Sequence, residues 1–140
     1  MSRIFWDTNL FIYLFEDFGP LSRKVFEIRE RMLERGDQLV TSAMTLGELL
    51  VKPAEKKDEG LIKKYESAVT STAVVVPFDT QVARIYAAIR GDRAIRPPDA
   101  IQLACAVRES VDLFITNDER LANKFFPGIQ FILPMKAVIL

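Results

Sequence analysis

Apolar positions along the chain fall into two alternating patterns. Short runs suited to strands lie at Ser2 to Trp6, Gln38 to Ser42, Ala73 to Phe78, Asp112 to Thr116 and Gly128 to Leu133. The valine-rich third run reads as a buried strand. Between them, apolar residues recur at helical spacing. Thr8 to Glu16 fits a largely buried helix. Pro20 opens a helix that carries Leu21, Val25, Ile28, Met32 and Leu33 on its apolar stripe, runs to about Arg35 and stops at Gly36. Further helices are predicted over Thr45 to Val51 (ending before Pro53), Leu61 to Ser71, Asp79 to Ile89, Pro97 to about Glu109, and Asp118 to Phe125. Lys52 to Gly60 reads as an exposed turn or frayed helix, and Arg90 to Arg96 as a basic loop.

Strands and helices thus alternate throughout. This predicts an α/β fold in which a parallel sheet of about five strands is flanked by helices on both faces. No repeat, low-complexity segment or linker interrupts the pattern, so 140 residues are expected to form one domain, 1–140.

Composition narrows the chemistry mainly through an absence: the chain has no histidine. That excludes Ser-His and Cys-His nucleophilic mechanisms, histidine acid–base catalysis and histidine-ligated zinc. Lys+Arg and Asp+Glu both number 19, so no bulk positive charge draws the chain to nucleic acid. The single cysteine, Cys105, can form no internal disulfide, and its apolar neighbours Ile101, Ala104 and Ala106 mark it as core. Asp7 comes too early for a signal-peptide core, and Leu10 to Phe15 is far short of a membrane span. The expectation is a soluble cytoplasmic protein with no membrane contact.

The chemistry that remains is that of carboxylates. Asp7 closes the first strand, Glu48 lies in the helix after the second, and Asp118 follows the strand ending at Thr116. In open parallel sheets the ligand crevice forms at the carboxyl ends of the strands, so topology brings these three together. Asp99, in the first turn of the Pro97-Pro98 helix, joins them if that helix begins at the same edge. Two carboxylates about 4 Å apart repel by about 4 kcal/mol at an effective dielectric near 20. Either protons or a cation must relieve this, and oxygen-only ligands suit Mg²⁺ or Mn²⁺.

Each acid also has an ordinary reading. Asp7, Asp79 and Asp118 precede helices as N-caps would. Thr45-Leu46-Gly47-Glu48 fits a capping box, in which Glu48 only closes its own helix. Asp99 would merely complement a helix dipole. Arg93 and Arg96 either steer phosphate or belong to a solvated loop.

At these residues the chain resembles the PIN-domain nucleases, and within them the VapC-type toxins of toxin–antitoxin pairs. The matching pieces are Asp7-Thr8-Asn9 after the first strand, Glu48 in "TLGELL", Asp99 in "PPDAIQLACA" and Asp118 in "FITNDERL". The resemblance implies an endoribonuclease dependent on Mg²⁺ or Mn²⁺ that hydrolyses RNA phosphodiester bonds. It carries metal-site and catalytic roles onto Asp7, Glu48, Asp99 and Asp118, and supporting roles onto Thr8, Asn9, Thr116 and Asn117. It also implies a homodimer and a cognate antitoxin as partner.

Three other readings compete. A haloacid-dehalogenase-type phosphatase also places an Asp after the first strand, but Asn9 stands where its second Asp belongs. A phospho-accepting receiver would use Asp79 after the third strand, but Asp7 lacks the acidic neighbour it needs. A catalytically inactive module binding nucleic acid or protein would keep the acids as caps. In that case Phe131 to Leu140 would serve a partner or dimer seam, or simply pack as an edge strand and tail.

Overall fold

The computed structural model describes residues 1–122 and 124–140. Five parallel strands, β1 (Arg3–Trp6), β2 (Gln38–Ser42), β3 (Val74–Val76), β4 (Leu113–Thr116) and β5 (Phe131–Pro134), lie in the order β3-β2-β1-β4-β5. The first two steps move outward from β1 to β3. The chain then crosses back over the sheet to add β4 on the other side of β1. The switch point therefore lies between β1 and β4, paired in register as Ile4 with Leu113 and Trp6 with Ile115.

Helices α1 (Thr8–Phe15), α2 (Pro20–Arg35), α3 (Ala43–Glu55) and α4 (Glu59–Thr72) connect the first three strands. They cover one face through Leu10, Phe11, Val25, Ile28, Met32, Leu49 and Val69, packed on Ile4, Trp6, Leu39 and Ile115. Helices α5 (Thr80–Ile89) and α6 (Pro97–Arg108) form the crossover. They cover the other face through Val82, Leu103, Ala104 and Cys105, packed on Phe5, Val40, Val76 and Phe114. Phe5 and Phe114 stack with ring centroids 4.9 Å apart across the central strand pair. Consecutive strand residues thus feed opposite cores, which is why apolar residues stand side by side in the strands rather than alternating with polar ones.

Several predicted boundaries shift for identifiable reasons. Helix α3 begins at Ala43 because the Ser42 hydroxyl accepts the Thr45 N–H (3.2 Å), so the cap lies three residues before the expected start. It also runs through Pro53, which is buried, so apolar contact offsets the missing backbone donor. Asp58, in the stretch expected to be a turn, caps α4 by accepting the Leu61 N–H at 3.0 Å. Strand β3 is a half-exposed edge rather than a buried strand, with Val74 36% exposed and only Val76 buried. Strand β5 starts three residues later than expected because Gly128 takes φ +95°, a left-handed turn conformation.

The helix expected from Asp118 to Phe125 does not form over residues 119–122, which make turns; residue 123 lies outside the described residues. Asp118 Oδ1 accepts the Arg120 N–H at 3.0 Å, an Asx turn that competes with helix. The C-terminal tail packs on the core through Met135 and Val138, and the Arg31 guanidinium holds the Leu140 carbonyl at 2.7 Å. No helix among the described residues is long and apolar enough to cross a membrane.

Candidate active site

The site starts from Asp7, the first residue beyond β1. Its backbone N–H continues the β1–β4 ladder by donating to the Ile115 carbonyl (3.0 Å). Its extended backbone turns the side chain back over the start of α1. Asp7 Oδ1 accepts the Thr8 N–H (2.9 Å) and the Gln102 amide (3.3 Å), while Oδ2 accepts the Thr116 hydroxyl (2.7 Å). Burial pushes this carboxyl above its ordinary value, the hydrogen bonds from Thr116, Thr8 and Gln102 pull the other way, and the Asp118 charge adds to the rise.

Glu48 approaches from α3. Its Oε1 accepts the Thr8 hydroxyl at 2.7 Å. The capping box expected from Thr45 to Glu48 is absent, because Ser42 is the N-cap and Glu48 bonds across to α1 instead. Asp99 arrives from the first turn of α6, whose N-terminus does lie at this sheet edge. Burial raises the Asp99 carboxyl, and the charges of Asp7, Asp118 and Glu48 raise it further against the lowering effect of Arg96. The Thr116 hydroxyl accepts the Asp118 N–H (2.9 Å) while donating to Asp7, so one side chain orders both β-edge acids.

All four acids line one cavity of about 400 Å³, together with Thr8, Asn9, Arg96, Gln102 and Arg120. Three expected residues fall outside this lining, of which Thr116 still reaches the site through its bonds to Asp7 and Asp118. Arg93 is exposed on the turn before α6, so of the two arginines only Arg96 reaches the cavity. Asn117 turns away and donates its amide to the Tyr13 hydroxyl at 2.9 Å.

Other residues were not anticipated. Arg120 pairs with Asp118 (2.5 Å) and reaches Asp99 (4.0 Å), acting as an internal counter-ion. Gln102, with Ser42 and Thr45 beneath it, forms the polar floor. A signal for Gln102 was present: it stands three residues after Asp99 in an otherwise apolar helix, so it shares that face.

Asp79 behaves as a plain cap. It accepts the Val82 N–H at 2.9 Å, pairs with Arg108 at 3.6 Å and lies outside the acidic cavity, which removes the support for a receiver. Cys105 is buried core, and burial pushes its thiol up to about 12. A larger apolar groove of about 590 Å³ runs between α1, α3 and α4 and shares only Ile12 and Glu48 with the acidic cavity.

Among the described residues no three acidic side chains stand close enough to grip one ion directly. The donor set nevertheless fits a hard divalent cation held partly through water. It is entirely oxygen, its acids disfavour one another's ionisation, and the buried Asn9 Oδ1 finds no partner among the described residues. Mg²⁺ commonly takes one or two carboxylates and keeps several waters.

Residues 4–125 match the family model described as the PIN domain. Ribonuclease VapC23 of Mycobacterium tuberculosis (strain H37Rv) is 30% identical over 123 residues, covering 87% of this chain and 98% of that protein. A chain in the crystal structure of VapBC2 from Rickettsia felis, bound to a DNA fragment from their promoter, superposes with TM-score 0.73 at 15% identity, over 94% of this chain and 98% of that one. A chain of a toxin–antitoxin complex from Klebsiella pneumoniae superposes with TM-score 0.64 at 25% identity, over 90% and 94%. The chain belongs to the PIN-domain family, among the relatives of the VapC ribonucleases.

Proposed function

We propose that this protein is a metal-dependent endoribonuclease, the toxin of a toxin–antitoxin pair, acting through Asp7, Glu48, Asp99 and Asp118. The observation that carries the reading is the convergence of these four acids on one cavity at the sheet's switch point. The relative named as a ribonuclease supports RNA as substrate. The toxin–antitoxin complex among the similar structures supports an antitoxin partner. The working unit is a homodimer of one PIN-like domain, 1–140, in the cytoplasm.

Asp7, Asp99 and Asp118 would hold Mg²⁺ or Mn²⁺, directly or through water, with Asn9 Oδ1 as a further oxygen. The bound ion would supply an acidified water for attack on phosphorus and neutralise charge on the phosphate. Thr116, Thr8 and Gln102 keep Asp7 in one orientation. Glu48, oriented by the Thr8 hydroxyl, would accept the proton of the attacking water, while the P–O bond to the displaced ribose oxygen breaks and that oxygen takes a proton from solvent. Arg96 and Arg120, now paired with Asp99 and Asp118, turn to the phosphate when it enters.

Purified protein incubated with a panel of single-stranded and structured RNAs tests this reading. Cleavage is expected with Mn²⁺ or Mg²⁺ and none with EDTA. Absence of cleavage together with absence of Mn²⁺ binding by folded protein would transfer the acids to a non-catalytic binding module.

A further inference from the structure

The floor of the acidic cavity is an uncharged side chain. Gln102 of α6 is only 2% exposed. Its amide nitrogen lies 2.8 Å from Thr45 Oγ1, 3.1 Å from Thr8 Oγ1 and 3.3 Å from Asp7 Oδ1, so its two N–H bonds are shared among three acceptors. Its amide oxygen accepts the Ser42 hydroxyl. The orientation is fixed by chemistry, since a reversed amide would set its carbonyl oxygen against the carboxylate of Asp7, which only accepts when ionised.

Proton directions follow from there. The Thr8 hydroxyl donates to Glu48 Oε1, so towards Gln102 it acts as acceptor. Thr45, 3.1 Å from Thr8, then donates to Thr8 and accepts from Gln102. The Ser42 oxygen, having given its proton to Gln102, accepts the Thr45 N–H. One directed network thus leads from the end of β2 through α6 to both Asp7 and Glu48. Residues 42, 45, 8 and 102 come from four different elements, so the network locks them to one another as well.

A buried amide on a helix whose neighbouring buried positions are Ala100, Leu103 and Ala104 serves packing no better than Met or Leu would. Its distinguishing property is that one of its bonds ends on Asp7 and another on Thr8, whose hydroxyl donates to Glu48. We propose that Gln102 is a positioning residue, fixing the Asp7 carboxylate directly and Glu48 through Thr8, so that both are preset for the divalent ion. This rests on the metal-dependent nuclease reading above.

The test compares wild type with Gln102→Met, which keeps length and removes both polar ends. Three quantities are read: Mn²⁺ affinity by electron paramagnetic resonance, RNA cleavage, and the unfolding midpoint in EDTA. Loss of outer hydrogen-bond partners commonly weakens metal sites by about 10- to 100-fold. The expected result is Mn²⁺ binding about 10-fold or more weaker and a comparable fall in kcat, with RNA KM within about twofold. A lowered midpoint with wild-type Mn²⁺ affinity and kcat per folded molecule would reduce Gln102 to a structural residue and overturn the proposal. If Gln102→Met does not fold, Thr45→Val carries the test. The hydrogen bonds of Thr45 go to Thr8, Ser42 and Gln102 rather than to the four acids, and the variant should still weaken Mn²⁺ binding by about threefold or more; wild-type affinity there would overturn the proposal. Wild-type protein that neither binds Mn²⁺ nor cuts RNA would instead remove the nuclease reading, and the proposal with it.

Discussion

The Thr116 hydroxyl donates to Asp7 Oδ2 at 2.7 Å across the β1–β4 switch point and accepts the Asp118 N–H at 2.9 Å. Thr116 is fully buried, so neither partner can turn to water through it. Thr116→Val keeps the shape and removes both bonds. The expected destabilisation is about 1–3 kcal/mol, because a buried carboxylate oxygen and a backbone donor both lose a partner. Urea unfolding in EDTA reads this. Mn²⁺ titration of the same variant should show weaker binding, since Asp7 and Asp118 no longer share an anchor.

Asp99 stands where its ionised form is disfavoured. Its folded-state carboxyl is raised above the ordinary 3.8, first by burial and then by its acidic neighbours. The native state therefore holds this proton more tightly than the unfolded chain does. Stability from this group falls as pH rises from about 3.8 through the raised value, and the penalty is fully present above it. Asp99→Asn removes the penalty. In EDTA the variant should melt higher than wild type at pH 7, and the difference should vanish below pH 4. Adding Mn²⁺ should raise the wild-type midpoint much more than that of the variant.

Arg120 pairs with Asp118 and reaches Asp99, so a cation drawn to these acids would have to compete with it. Arg120→Gln should tighten Mn²⁺ binding and at the same time raise KM for RNA, since the same guanidinium is lost to the phosphate. Mn²⁺ titration and steady-state kinetics on one preparation check both halves. A change in KM without a change in Mn²⁺ affinity would mean that the pairing with Asp118 is incidental.

Cys105 gives a prediction away from the site. Burial pushes its thiol up to about 12. Iodoacetamide at pH 8 should leave it unmodified in the native protein and alkylate it after denaturation, as mass spectrometry will show.

The sheet was legible in the sequence because each strand carries a short apolar run and most helices an apolar stripe. The places of Asp7 and Asp118 were legible because each lies one or two residues beyond a parallel strand, at the sheet's carboxyl edge. Glu48 was ambiguous because the spacing from Thr45 fits a capping box, and sequence does not reveal that Ser42 takes the cap while Glu48 bonds Thr8, 40 residues earlier. Gln102 was harder, since its partners lie 57 to 95 positions away. Arg93 and Arg120 show the remaining gap: both sit in turns, and composition does not tell which turn folds over the crevice. The edge character of β3 and the turn at Gly128 depend on sheet order and local φ, which apolar pattern does not encode.

The most direct measurement is cleavage of one susceptible RNA by wild type and by Asp7→Asn over a Mn²⁺ titration, with folding of both verified by circular dichroism. The account predicts cleavage that rises with Mn²⁺ in wild type and is lost at least about 100-fold in the folded variant. Equal, metal-dependent cleavage by Asp7→Asn would contradict it and place the chemistry elsewhere on the molecule.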